Sequence, residues 1–237
     1  MPGRRRSWRS TGWLVVCAIS VWSIDVPGEP QRQPTGDERR SDPAAAGEPA
    51  ELVDIRSMDD TVELDIRYAS ERNFTGVALY RRARCLLRRA VAERLVRVQQ
   101  RLRERGLGLR VWDCYRPISV QQRLWQRVPD GRYVARPVFR QGRPVRGSRH
   151  NRGAAVDVTL IGAEGQTLPM PTDHDDFSER AHVSYRGGSR VARRNMRILR
   201  AAMKAEGFTG IASEWWHFDG PDWRDYPLSD VPLAAAE

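Results

Sequence analysis

The 237-residue chain reads as an α+β domain in which helices cover one face of a small, largely antiparallel sheet. Three observations carry that reading. Short segments alternate apolar and polar residues with a period of two. Two longer segments repeat apolar residues at steps of three and four. The two kinds do not follow each other in a regular β-α order, which argues against a parallel, doubly wound sheet. In order, Leu52-Val53-Asp54-Ile55 and Val62-Glu63-Leu64-Asp65-Ile66 alternate as strands do. From Arg82 to Arg105 the residues Leu87, Val91, Leu95, Val98 and Leu102 line one side of a helix whose other side is charged, ended by Gly106. Leu109 to Asp113 is a strand running into the turn Cys114-Tyr115-Arg116-Pro117, and Ser119 to Arg127 a short helix. Ala154 to Leu160 is a strand, Arg190 to Glu206 a second long helix closed by Gly207, and Trp215 to Asp219 a final strand.

The domain occupies residues 51–237. Ahead of it, residues 25–50 carry Pro27, Pro30, Pro34, Pro43 and Pro49 with almost no large apolar side chains, the composition of a disordered linker. Residues 1–24 place Arg4, Arg5, Arg6 and Arg9 before the apolar run Trp13–Trp22, as a signal peptide or an uncleaved N-terminal anchor does. Export to the periplasm or cell envelope of a bacterium is the expectation, a cytoplasmic protein the alternative. Apart from that anchor, no integral membrane domain is expected.

A formal charge of +10 raises nucleic acid as a partner. Only Lys204 among the 40 basic residues is lysine, and the arginines are scattered among acids, so the excess reads as coding bias and a solvated basic face. No nucleic-acid partner is expected. Of the three cysteines, Cys85 and Cys114 could pair in an oxidising compartment or remain two buried thiols, and sequence does not decide.

The chemistry concentrates in Ser148-Arg149-His150-Asn151-Arg152-Gly153-Ala154-Ala155-Val156-Asp157 and Glu214-Trp215-Trp216-His217. Two imidazoles, an aspartate and a glutamate supply three N and O ligands for a catalytic zinc, with a carboxylate left over to take a proton from water. His150 and Asp157 are seven apart, so on one straight strand they would face opposite ways. His150 must therefore lie on the loop before the strand, where Gly153 lets the chain turn. Asp157 then sits inside an apolar strand, where a bare carboxylate is costly and a cation removes the cost. Glu214 and His217 are three apart, so Glu214 should come from the turn ahead of the last strand, helped by a kink or bulge. Arg116 precedes Pro117, which holds its backbone extended. Its guanidinium could stabilise an oxyanion or form a structural ion pair with Asp113. His174 and His182, the remaining histidines, are not assigned to the site.

At these residues the chain resembles the D-alanyl-D-alanine dipeptidases of the VanX type, zinc peptidases related to the D,D-carboxypeptidases and to the hedgehog signalling domain. The blocks Asp65–Ala69, Asn73–Gly76, Trp112–Pro117, Ser148–Gly153, Asp157–Leu160, Asp175–His182 and Glu214–His217 follow the family's order over about residues 51–232. The resemblance implies a hedgehog-like α+β fold and one Zn2+ per chain on His150, Asp157 and His217. It implies Glu214 as catalytic base and Arg116 as the transition-state arginine. Ser148 and Asp175 would hold the free ammonium of a small D,D-dipeptide substrate. The chain departs from the family at Cys114, usually glycine, and at Pro171, Asp173 and His174, which replace a glycine- and phenylalanine-containing approach to Asp175. Two alternatives stand beside the dipeptidase: a D,D-carboxypeptidase trimming peptidoglycan stem peptides, and a non-catalytic zinc-containing module that binds peptidoglycan or a protein.

Overall fold

The strand that carries Asp157 organises the molecule. In the computed structural model, which describes residues 51–233, this strand (β7, Ala155–Gly162) has all eight residues buried. The signal or anchor expected over 1–24 and the linker over 25–50 lie outside the described residues. Eight buried residues mean that both faces of the strand are covered, and parity divides them. Val156, Val158 and Leu160 belong to the main apolar core, whereas Ala155, Asp157 and Thr159 look the other way.

The main sheet has five strands in the order β2 (Glu63–Leu64), β4 (Leu107–Asp113), β7, β9 (His217–Asp219) and β8 (Thr209–Gly210). Only β2 and β4 pair in parallel, so the sheet is largely antiparallel as the sequence implied. Two helices pack on it and on each other: α1 (Arg89–Arg103) and α3 (Arg190–Ala205). Helix α1 buries Val91, Leu95, Val98 and Leu102, the i, i+3, i+4 stripe read from sequence. Helix α3 buries Ala192, Met196, Leu199 and Met203, and starts where the Ser189 hydroxyl accepts from the amides of Val191 and Ala192. The short helix α2 (Ile118–Arg127) follows Pro117, whose missing N–H costs nothing at a helix start. Among the described residues no helix is long and apolar enough to cross a membrane.

The structure corrects two readings. Leu87 fits the helical stripe by spacing but lies in a strand, β3 (Leu86–Arg88), antiparallel to β1 (Leu52–Asp54). Its step to Val91 is four residues, so periodicity alone could not separate the last strand residue from the first helical turn. The second is a hairpin with no counterpart in the sequence reading, β5 (Val138–Arg140) and β6 (Arg143–Arg146). Gln141 and Gly142 take φ of 49° and 75°, the left-handed pair that closes a tight hairpin. Its strands are mostly exposed and arginine-rich, so they lack an apolar alternation to read.

Cys85 and Cys114 form a disulfide, which settles the alternative left open by sequence. It ties the residue before β3 to the residue after β4. The Tyr115 amide donates to the Leu86 carbonyl at 2.9 Å beside it, so the same junction is also held by backbone.

Candidate active site

Strand register does most of the placing. Asp157 pairs with Asp113 on β4 and with His217 on β9, so three polar side chains stand abreast across the centre of the sheet. The β4–β7 register shifts between Val111 and Asp113, an irregularity beside the site. His150 arrives from a 3-10 turn, Arg149–Arg152, just ahead of β7. Ser148 caps that turn, and Asn151 returns a bond to the cap amide. Gly153 ends it at φ 68°, and a Cβ there would meet Leu52 Cδ2 at 2.5 Å, so only glycine suits both the turn and the packing. The Arg116 amide donates to the His150 carbonyl at 3.1 Å, and Asn151 Nδ2 donates to the Arg116 carbonyl at 2.8 Å. The two motifs are thereby stitched together.

Three atoms converge. His150 Nε2 lies 3.1 Å from His217 Nδ1 and 3.4 Å from Asp157 Oδ1, and His217 Nδ1 lies 3.0 Å from Asp157 Oδ1. Ligands about 2.0–2.1 Å from a common tetrahedral centre are separated by roughly 3.3 Å. The outward ring nitrogens explain which atoms bear lone pairs. His150 Nδ1 donates to the Cys114 carbonyl at 2.7 Å, and His217 Nε2 donates to Asp219 Oδ1 at 3.0 Å. Each bond fixes the tautomer that leaves the inward nitrogen without a proton. Three buried lone-pair donors that face one another repel unless a cation sits between them, so these residues fit a metal ion. The charge balance agrees. Burial alone would raise the Asp157 carboxyl, yet the surrounding imidazoles of His150, His174 and His217 hold it well below the usual carboxylate range. Burial alone would lower the His217 imidazole, but its bonds to Asp157 and Asp219 push it up to about 10. The same carboxylate that attracts a proton to the inward His217 nitrogen would attract a metal cation, which would take that proton's place among the three donors.

The other residues named from sequence line the same cavity, of about 460 Å3, together with the cradle. Glu214 comes from the loop before β9, as parity required, with Oε2 3.9 Å from His217 Nδ1. Burial raises its carboxyl, and the nearby Asp157 and Asp175 charges add to the rise against the opposing His217. Arg116 makes the ion pair with Asp113 (3.0 and 2.6 Å) and also lines the cavity, so both of its readings hold together. Gln121 Oε1 accepts from Arg116 Nη1 at 2.9 Å, and the guanidinium lies over the Tyr68 ring at 4.9 Å. Tyr80 donates to the other Asp113 oxygen at 2.7 Å. Asp175 is held at φ 55°, with Oδ2 accepting from the Tyr68 hydroxyl at 2.9 Å. Burial raises its carboxyl, and Asp157 raises it further. Ser148 lines the cavity while its oxygen accepts the His150 amide at 3.3 Å, which leaves its hydroxyl hydrogen free to donate.

Sequence reasoning missed Tyr68, Gln121, Asp219 and His174. Asp219 had a usable signal: two residues after His217 on a strand, it must share that histidine's face. Tyr68 lay inside a quoted motif but without a partner in sight. His182 stays outside the cavity, whereas His174 is buried against Asp157.

A buried triad of one carboxylate and two imidazoles, with a carboxylate and a guanidinium in the same cavity, suits metal-assisted hydrolysis, and the family match makes the protein a metallopeptidase. The comparisons make that specific: residues 48–231 match the peptidase M15 family, described as D-ala-D-ala dipeptidase, and the chain belongs to it. The D-alanyl-D-alanine dipeptidase of Escherichia coli (strain K12) is 39% identical over 178 residues, covering 75% of this chain and 89% of that protein. Those of Streptomyces coelicolor and Enterococcus faecium are 35% and 31% identical, each over 188 residues and 93% of the relative, covering 71% and 73% of this chain.

Proposed function

We propose that the chain is a zinc-dependent dipeptidase that hydrolyses D-Ala-D-Ala or a similarly small D-amino-acid dipeptide. One observation carries the reading: the converging donor atoms of His150, Asp157 and His217 share a cavity with a half-buried Glu214 whose carboxyl is raised. An N2O donor set with a further position open to solvent suits catalytic zinc. Bound there, zinc would supply Lewis acidity to the scissile carbonyl and lower the pKa of an attacking water.

The chain's own residues do the rest. Glu214 takes the proton from water as its oxygen bonds to the carbonyl carbon, then returns that proton to the amine as the C–N bond breaks, releasing two amino acids. Arg116 has three of its N–H groups committed to Asp113 and Gln121. A guanidinium carries five, so two remain for the oxyanion, in a plane already fixed. Asp175 keeps Oδ1 free of a hydrogen-bond partner among the described residues, which suits the substrate's ammonium. Ser148 offers its hydroxyl to the same end of the substrate. Fixing a free ammonium selects a dipeptide over a longer chain.

Location belongs to the proposal as well. The Cys85–Cys114 disulfide supports an oxidising compartment, in keeping with the basic and apolar N-terminal segment. Recovery of the protein wholly in the cytoplasmic fraction would remove that part.

The deciding experiment is a release assay on D,D-, L,D- and L,L-dipeptides and on a pentapeptide ending in D-Ala-D-Ala, with and without chelator. The expected result is chelator-sensitive cleavage of the free D,D-dipeptide. Cleavage of the pentapeptide alone would make the protein a D,D-carboxypeptidase, and zinc binding without any cleavage would make it a binding module. In the zinc-loaded enzyme, Glu214→Ala should keep the metal and lose about 10²–10⁴-fold in kcat.

A further inference from the structure

His174 is a buried imidazole with no part in the reaction above. Its side chain is 2% exposed, and its ring packs among Trp112, Tyr68 and Trp216 with centroids 5.3, 5.9 and 5.7 Å away. A phenyl group would fill such an aromatic cage without burying two polar atoms, so the ring nitrogens need a reason. Both have one. Nε2 lies 3.1 Å from Asp157 Oδ2, the carboxylate oxygen that is not in the donor trio. Nδ1 lies 3.3 Å from Asp175 Oδ2, the oxygen that also accepts from Tyr68. The backbone is set to present the ring this way. The His174 amide donates to Asp173 Oδ1 at 2.8 Å, Arg67 holds both Asp173 oxygens at 2.8 and 3.2 Å, and Asp175 follows at a left-handed φ.

We infer that His174 is a positioning residue that ties the metal cradle to the carboxylate that receives the substrate's ammonium. On one side it anchors Asp157 Oδ2, so that Asp157 offers the metal a single oxygen in a fixed plane. Such outer partners are worth about 10–100-fold in metal affinity. On the other side its Nδ1 stands within ion-pair reach of Asp175 Oδ2, the oxygen that Tyr68 holds, which leaves Oδ1 for the substrate; facing two carboxylates, the ring serves as an imidazolium with an N–H on each side. This second arm rests on the role proposed for Asp175, and the first does not. One ring thus sets the distance between the point of attack and the end of the substrate that must be gripped, which is the length a dipeptidase measures.

The test uses His174→Phe, His174→Gln and His174→Asn in the full chain. Zinc affinity is read by competition with a chromophoric chelator, and KM and kcat on D-Ala-D-Ala by amino-acid release. The glutamine amide reaches the place of Nε2, the asparagine amide that of Nδ1. His174→Phe should weaken zinc binding about 10–100-fold and raise KM about tenfold, the loss of one charge-assisted contact. His174→Gln should restore most of the zinc affinity and leave KM high; His174→Asn should do the reverse. Should His174→Phe fail to fold, the opposed behaviour of the glutamine and asparagine variants carries the test. Zinc affinity and KM both within twofold of wild type in His174→Phe would overturn the inference, and so would glutamine and asparagine variants that behave alike. If the wild type cleaves no dipeptide, the proposed function falls, and the zinc affinities of the phenylalanine and glutamine variants alone decide the Asp157 arm.

Discussion

The cradle that fits a metal and the seat proposed for the substrate's amine line one cavity but are built in different ways. The cradle hangs on backbone register. Asp157 and His217 face each other across two paired strands, and His150 enters on a capped turn whose last residue has to be glycine. The seat hangs on side chains. Asp175 lies in irregular chain between β7 and α3, at a positive φ that aspartate tolerates better than most residues, and its direction is set by the Tyr68 hydroxyl and the neighbouring His174 ring. Register is enforced by many cooperative hydrogen bonds and shifts only as a whole. A side-chain network can be retuned by one substitution. On the proposed roles, the chemistry is fixed in the part of the site that is hardest to alter, and the selection of substrate length in the part that is easiest.

Removing a cradle ligand should give the largest effect. His217→Ala leaves two donors and a buried Asp157 without its cation, so zinc content should fall to background along with turnover. Retention of one zinc per chain in that variant would mean the metal is held elsewhere. Arg116→Lys comes next, with about 10²–10³-fold lost in kcat, because an ammonium cannot bond Asp113 and Gln121 and still direct two N–H groups at the oxyanion. Zinc content should be unchanged. Asp175→Asn probes the seat directly. It should raise KM for D-Ala-D-Ala about 10–100-fold, from loss of a charged hydrogen bond, at full zinc occupancy. If Asp175→Asn also strips the metal, seat and cradle are one unit and the contrast between them fails.

The same contrast explains what could be read from the chain. Parity and spacing are properties of regular backbone, so His150 on a turn, Asp157 inside a strand and Glu214 ahead of one all followed from residue counting. The convergence of the donor trio and the place of Glu214 ahead of the last strand were legible for that reason, as were α1 and α3 from their apolar stripes. Where periodicity is ambiguous the reading slipped: Leu87 fitted a helix and lies in β3, and the β5–β6 hairpin, mostly exposed, has no apolar alternation to betray it. His174 and Tyr68 were illegible as site residues, since nothing local brings residues 68, 157, 174 and 175 together. Their meeting depends on the path of an irregular segment, and only the resemblance to a family pointed at Asp175.

The disulfide should matter least to catalysis, and the reason again lies in the backbone. The Cys114 carbonyl orients His150, so a bond from that residue to Cys85 could be taken as a brace for the cradle. Yet Cys114 is also fixed by the residues on either side of it: Asp113 lies in register with Asp157, and the Tyr115 and Arg116 amides donate to Leu86 and His150. Breaking the sulfur bridge leaves those bonds in place. The closed segment spans 29 residues, for which chain entropy gives about 3–4 kcal/mol of stabilisation. Cys85→Ser with Cys114→Ser should therefore lower the unfolding free energy in denaturant by that amount, while zinc affinity and kcat at 25 °C stay within about threefold, well below the 1.4 kcal/mol that a tenfold change represents. A drop in zinc affinity as large as that expected for His174→Phe would mean the cradle leans on a covalent brace, and that register alone does not hold it.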